Sequence, residues 1–185
     1  MPRLEKKLPV ALTDDELDKV LKVCRLRDKA LVQVIATSGV RSAELCKLNV
    51  EDVDLRTGVV MVKQGKGQKD RITYIDPTTC KLVKRYLLTR KGVKTGHPLF
   101  TSFNVRNARL TTNTINLLFQ RMQDASGVHI TAHGLRRTFA SRSMRQGMNI
   151  YVLAKLMGHS DITVLKAYLD VQDEDAENAY RGIFG

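Results

Sequence analysis

Acidic residues are the under-supplied class in this chain of 185: nineteen Asp and Glu stand against thirty-one Lys and Arg, leaving a formal net charge of +12. That shortage argues against a cationic partner and favours a polyanion such as nucleic acid, although charge alone divides evenly between that reading and a solubilising surface. Cysteine is sparse as well. Cys24, Cys46 and Cys80 are odd in number and lack metal-ligand spacing, which excludes a disulfide framework and points to reduced thiols in an intracellular, cytoplasmic protein. No apolar run approaches the roughly 18 residues of a membrane span. The opening Met1-Pro2-Arg3-Leu4-Glu5-Lys6-Lys7 has no signal-peptide core. Neither an internal repeat nor a low-complexity linker is found. What remains is ordinary globular composition, 43% apolar and 27% charged, in a length that suits one domain with a sizeable core.

After a basic lead-in at residues 1–10, Thr13-Asp14-Asp15-Glu16 has the form of a capping box and predicts a helix to about Cys24. Ala30, Leu31, Val34 and Ile35 then recur at helical spacing until Ser38-Gly39 stops them, and a short helix should carry Ser42 to Lys47. The period changes to two at residues 59–63 and again at 71–75, around Gln64-Gly65-Lys66-Gly67-Gln68-Lys69-Asp70. This predicts a β-hairpin with a long glycine-containing tip. Helical patterns return near 77–90, 112–125, 133–146, 150–157 and 161–169, with a short strand expected near Leu99-Phe100. The expected fold class is α+β, mainly helical, with a small antiparallel β-sheet.

Several basic positions have the chemistry to meet a phosphate. His133 and Arg136 are three apart, so on a helix they share a face; guanidinium supplies a planar fork of donors, and imidazole relays a proton near neutral pH. The adjacent Arg137 turns about 100° away, toward DNA backbone or solvent. Arg41 opens its short helix with Glu44 three residues on, read equally as a phosphate clamp or as a surface ion pair. Lys66 sits between two glycines that let the backbone approach a ligand, while Lys63, Lys69 and Arg71 add DNA-binding charge to the same finger. The loop is no Walker A motif. His159 follows Gly158 at the mouth of a new helix that carries Tyr168. Considered alone, Tyr168 is not distinguished from Tyr180. His129 and His133 are four apart, but no acidic cluster or Cys/His set accompanies them, so no metal site is assigned.

Taken in order, Ser38-Gly39-Val40-Arg41-Ser42-Ala43-Glu44-Leu45, Gly65-Lys66-Gly67-Gln68-Lys69-Asp70-Arg71, His133-Gly134-Leu135-Arg136, Gly158-His159-Ser160 and Tyr168 resemble the catalytic domain of tyrosine recombinases, the phage-integrase and Xer-like family. The resemblance implies a DNA breaking-rejoining fold. It also implies roles: Arg41 and Arg136 on the non-bridging oxygens of the scissile phosphate, His159 bonding there, Lys66 protonating the leaving 5′-oxygen, and His133 assisting proton removal from Tyr168. Glu44 would support the site, and Tyr168 would attack to give a 3′-phosphotyrosyl link. Exchanging one phosphodiester for another requires neither ATP nor a metal, so no cofactor is expected.

The implied layout is a catalytic domain over 11–171 and a tail helix over 172–185 that docks on a neighbouring protomer. The helical DNA-clamping, core-binding domain that often precedes such a domain is expected to be absent. The implied partners are double-stranded DNA and further copies of the chain, in a tetrameric synapse on DNA and as a monomer without it; no membrane is involved. Two alternatives stand beside site-specific recombination: type IB topoisomerase-like nicking and resealing, and a catalytically inactive DNA-binding regulator.

Overall fold

The computed structural model describes residues 11–63, 70–102, 108–158 and 181. Helix α1 (Asp14–Val23) begins where the sequence places it. Thr13 Oγ1 accepts from the Glu16 amide at 3.2 Å, and the Thr13 amide donates to Glu16 Oε2 at 2.8 Å. A cap of this kind contributes about 1 kcal/mol. In α2 (Leu26–Ser38) the residues Ala30, Leu31, Val32, Val34, Ile35 and Ala36 are all buried. Apolar side chains therefore run round the whole circumference, which a helix tolerates only when others enclose it. Its neighbours are α4 (Pro77–Leu88) and α6 (Ala132–Arg145). Burying Leu31 or Ile35 fully contributes roughly 1.5–3 kcal/mol each.

Gly39 ends α2 in the left-handed conformation, with φ of 65°. A Cβ there would stand 2.5 Å from Phe139 Cδ1 on α6, so both backbone and packing demand glycine. The turn leads directly into α3 (Ser42–Lys47), followed by a single 3-10 turn at Val50–Asp52.

Strands β1 (Val59–Val62) and β2 (Arg71–Tyr74) pair antiparallel, with Val60 opposite Thr73 and Val62 opposite Arg71. Those four face the interior, while Ile72 and Tyr74 face outward. The strand expected near Leu99-Phe100 does not form. Arg90 Nη1 donates to the Pro98 and Leu99 carbonyls at 2.8 and 2.9 Å, and the Leu99 amide goes to the Leu48 carbonyl. With its backbone groups taken singly, the segment has only isolated bridges, Asn49 to Pro98 and Thr101 to Arg109.

Helix α5 (Thr112–Ser126) packs on α1, and α7 (Ile150–Met157) packs on α6 through a small apolar cluster of Phe139, Ala140, Leu153, Ala154 and Met157. The larger core surrounds α2. The architecture is thus mainly helical with one small antiparallel sheet, as expected. All three cysteines are free thiols, and burial pushes Cys24 and Cys46 up to about 11. Among the described residues, no helix is long and apolar enough to cross a membrane. The lead-in 1–10, the hairpin tip 64–69, the helix anticipated at 161–169 and the tail apart from Arg181 lie outside the described residues.

Candidate active site

The loop after α2, the start of α3, strand β2, the middle of α6 and the end of α7 meet at one place, and each contributes a polar group. Glu44, on the first turn of α3, is the hub. Its Oε2 accepts from the Arg41 amide at 2.7 Å, and its Oε1 accepts from Arg41 Nη1 at 2.8 Å. The surface ion pair that the sequence allowed is therefore part of something larger. Arg71 Nη1 and Nη2 reach the same two oxygens at 2.8 and 2.7 Å, a bidentate fork between two largely buried side chains. Burial pushes the Glu44 carboxyl up, but hydrogen bonds and charge from Arg71 and Arg41 outweigh it and hold the group at about 2.

A helix C-terminus leaves carbonyls without intrahelical partners and carries partial negative charge. At the end of α7, three consecutive residues resolve this with three different arginines. The Leu156 carbonyl accepts from Arg71 Nε at 2.9 Å, that of Met157 from Arg136 Nη2 at 2.6 Å, and that of Gly158 from Arg41 Nη2 at 3.0 Å. Arg136 Nη1 also donates to the Gly39 carbonyl at the end of α2. A further tie joins β2 to α2, where Thr73 Oγ1 donates to the Ser38 carbonyl at 2.7 Å.

The structure therefore brings Arg41, Glu44, Arg71 and Arg136 together. Arg136 is buried and forms the floor, while the Arg41 side chain is 42% exposed and keeps N–H groups beyond its bonds to Glu44 and Gly158. His133 lies in the first turn of α6, one turn before Arg136, its residue exposed but its ring partly desolvated. Burial, then the charges of Arg137 and Arg136, hold its imidazole below the usual 6.5, so it is neutral at pH 7. Thr131 caps α6, which leaves His129 before the helix and bonded to Gln123 at 2.7 Å, apart from His133.

Two residues expected to contact DNA are paired with carboxylates. Lys63, just after β1, forms a 2.5 Å ion pair with Asp52, yet its side chain stays 59% exposed. Arg71 is turned inward rather than along the finger, because its strand register puts it on the same face as buried Thr73. That alternation was present in the sequence and was the signal for its inward role. Arg137 is partly buried on α6. Lys66, Lys69, His159 and Tyr168 lie outside the described residues. The backbone carbonyls of Gly39, Met157 and Gly158 have no sequence signature.

Residues 11–175 match the family model for the phage integrase family. The chain belongs to that family. Tyrosine recombinase XerA of Pyrococcus horikoshii is 32% identical over 179 residues, which cover 96% of this chain and 62% of that relative. A crystal structure of XerA recombinase matches with a TM-score of 0.82 at 33% identity, over 95% of this chain and 65% of that one. XerH site-specific recombinase, solved bound to its difH substrate, matches with a TM-score of 0.74 at 26% identity, over 94% of this chain and 54% of that one. This phage integrase family chain thus spans less than two thirds of the length of these relatives.

Proposed function

We propose that this chain is the strand-cleaving and rejoining part of a site-specific DNA recombinase, acting on intracellular double-stranded DNA. The observation that carries the reading is the convergence of Arg41 and Arg136 beside Glu44 and the end of α7, in a chain that belongs to the phage integrase family.

In this reading Arg41 and Arg136 bind the non-bridging oxygens of the scissile phosphate. Charge grows on those oxygens in the transition state, and each preorganised donor contributes on the order of 3 kcal/mol. The Tyr168 oxygen forms a bond to phosphorus as the bond from phosphorus to the 5′-oxygen breaks. A free phenol has a pKa of about 10, so the attack needs a base. His133, neutral at pH 7, takes that proton, while Lys66 gives one to the departing 5′-oxygen. His159 adds a hydrogen bond to the phosphate. One phosphodiester replaces another, so the reverse attack by a 5′-hydroxyl reseals the strand. Exchange between two DNA sites requires several protomers, and a four-protomer synapse joined by residues 172–185 belongs to the same reading.

The test is incubation with a library of nicked duplexes randomised around the cleavage position, followed by denaturing electrophoresis. A covalent protein–DNA adduct is expected from the wild type and not from Tyr168→Phe. An adduct that survives in that variant removes Tyr168 as the nucleophile. Deletion of residues 172–185 should abolish higher-order complexes on DNA while leaving adduct formation intact.

A further inference from the structure

Arg41 is the more exposed of the two guanidiniums assigned to the phosphate, and two bonds hold it in place. One goes to Glu44 Oε1 at 2.8 Å and the other to the Gly158 carbonyl at 3.0 Å. Both anchors depend on the same third residue. Arg71 grips both oxygens of Glu44, and through Nε it holds the Leu156 carbonyl at 2.9 Å, two residues before Gly158. Gly158 itself lies flat against that guanidinium: a Cβ added there would meet Arg71 Cδ and Nε at 2.9 Å.

We propose that Arg71 is a positioning residue for strand cleavage, fixing the Arg41 guanidinium by locking Glu44 on one side and the end of α7 on the other. The proposal rests on the strand-cleavage reading above. Three features support it. The Arg71 side chain is only 7% exposed and faces inward opposite Val62, and its Nε, Nη1 and Nη2 are all engaged by Glu44 or the Leu156 carbonyl. Each Glu44 oxygen accepts one bond from Arg41 and one from Arg71. Without Arg71 the carboxylate loses half its donors and is free to turn, and Arg41 turns with it. Finally, only a planar fork spans this arrangement. A lysine ammonium, a single point of charge, cannot reach both Glu44 oxygens and the Leu156 carbonyl together.

The full chain and its Arg71→Lys and Arg71→Met variants supply the test, with near-UV circular dichroism reporting the native fold. Binding to a 30-base-pair duplex is measured between 50 and 200 mM salt, and adduct formation is followed on the nicked library at saturating protein. A lost phosphate contact would make the logarithmic salt slope shallower by about 0.9. A positioning role leaves the slope unchanged and lowers the adduct rate at saturation by about 100-fold, the cost of a misplacement near 1 Å. Arg71→Lys should retain charge and fold yet recover only a minor part of that rate. Carbon-13 NMR titration of Glu44 adds a readout independent of cleavage: its carboxyl should titrate higher in either variant. A shallower slope with an unchanged rate overturns the proposal, as does a Glu44 titration that does not move. If Arg71→Met fails to fold, Arg71→Lys decides by the same measurements. Failure of the wild type to form any adduct would instead refute the strand-cleavage reading, leaving slope and titration to judge the locking of Glu44.

Discussion

A carboxylate that accepts four hydrogen bonds from two arginines holds its charge far more tightly than one in water. Glu44 is held at about 2, against about 4.3 for an unperturbed glutamate. The folded state therefore binds fewer protons than the unfolded state. The resulting stabilisation, on the order of 3 kcal/mol, is fully present above the unfolded value near 4.3 and is lost as pH falls through the folded value. Glu44→Gln should accordingly destabilise the protein by about 3 kcal/mol at neutral pH, since it strands a largely buried Arg71. The deficit against wild type should shrink toward pH 2. Urea denaturation of both proteins at several pH values checks this, and a deficit that does not vary with pH would rule it out. His133 shifts the other way in chemical consequence. Its imidazole lies below 6.5 because of burial and the neighbouring Arg137 and Arg136 charges, so its neutral form persists into mild acid. The acid-side decline in adduct formation should therefore be centred below pH 6.5. A decline centred above 6.5 would show that some other group is the base.

At the scale of elements, two helix ends separate backbone demand from packing demand. Gly39 closes α2 and Gly127 closes α5, both with positive φ, at 65° and 71°. A side chain at Gly127 meets nothing within 4 Å, whereas one at Gly39 meets Phe139 at 2.5 Å. Gly127→Ala should cost about 1 kcal/mol for the left-handed conformation alone. Gly39→Ala should cost roughly 1–3 kcal/mol more, for the displaced ring. It should also impair cleavage, because the Gly39 carbonyl is a partner of Arg136. Equal melting temperatures for the two variants would contradict this. The same elements show what the sequence makes legible. The Thr13 capping box, the Ser38-Gly39 stop, the α3 limits and the period-two strands are all local signals, and local chemistry decides them. The apolar residues of Leu99-Phe100 suit a strand, but Arg90, eight and nine residues earlier, binds the Pro98 and Leu99 carbonyls. Arg71 read as part of a DNA-facing finger because its charge outweighed its strand register. Its partners lie 27 and 85 residues away in the chain, at Glu44 and Leu156, and no spacing rule connects them.

For the whole molecule, the proposed binding to DNA by a chain of net charge +12 should weaken as salt rises. Each phosphate that a protein neutralises releases condensed counterions, and on B-form DNA the logarithm of affinity falls with the logarithm of salt by about 0.9 per phosphate. The number of contacts, not their individual strength, therefore fixes the slope. This chain spans 62% of the length of XerA from Pyrococcus horikoshii, and the strand-cleavage reading predicts that it makes fewer phosphate contacts than that longer relative. Some of its own charge is also turned inward, since Arg71 binds a carboxylate and a backbone carbonyl. Measured on the same 30-base-pair duplex between 50 and 200 mM salt, the 185-residue chain should give the shallower slope of the two. The difference, divided by about 0.9, then counts the phosphate contacts made by the remainder of the relative. Equal slopes would mean that these residues already hold the full electrostatic footprint, and the added length of XerA would then have to act through something other than phosphate contact.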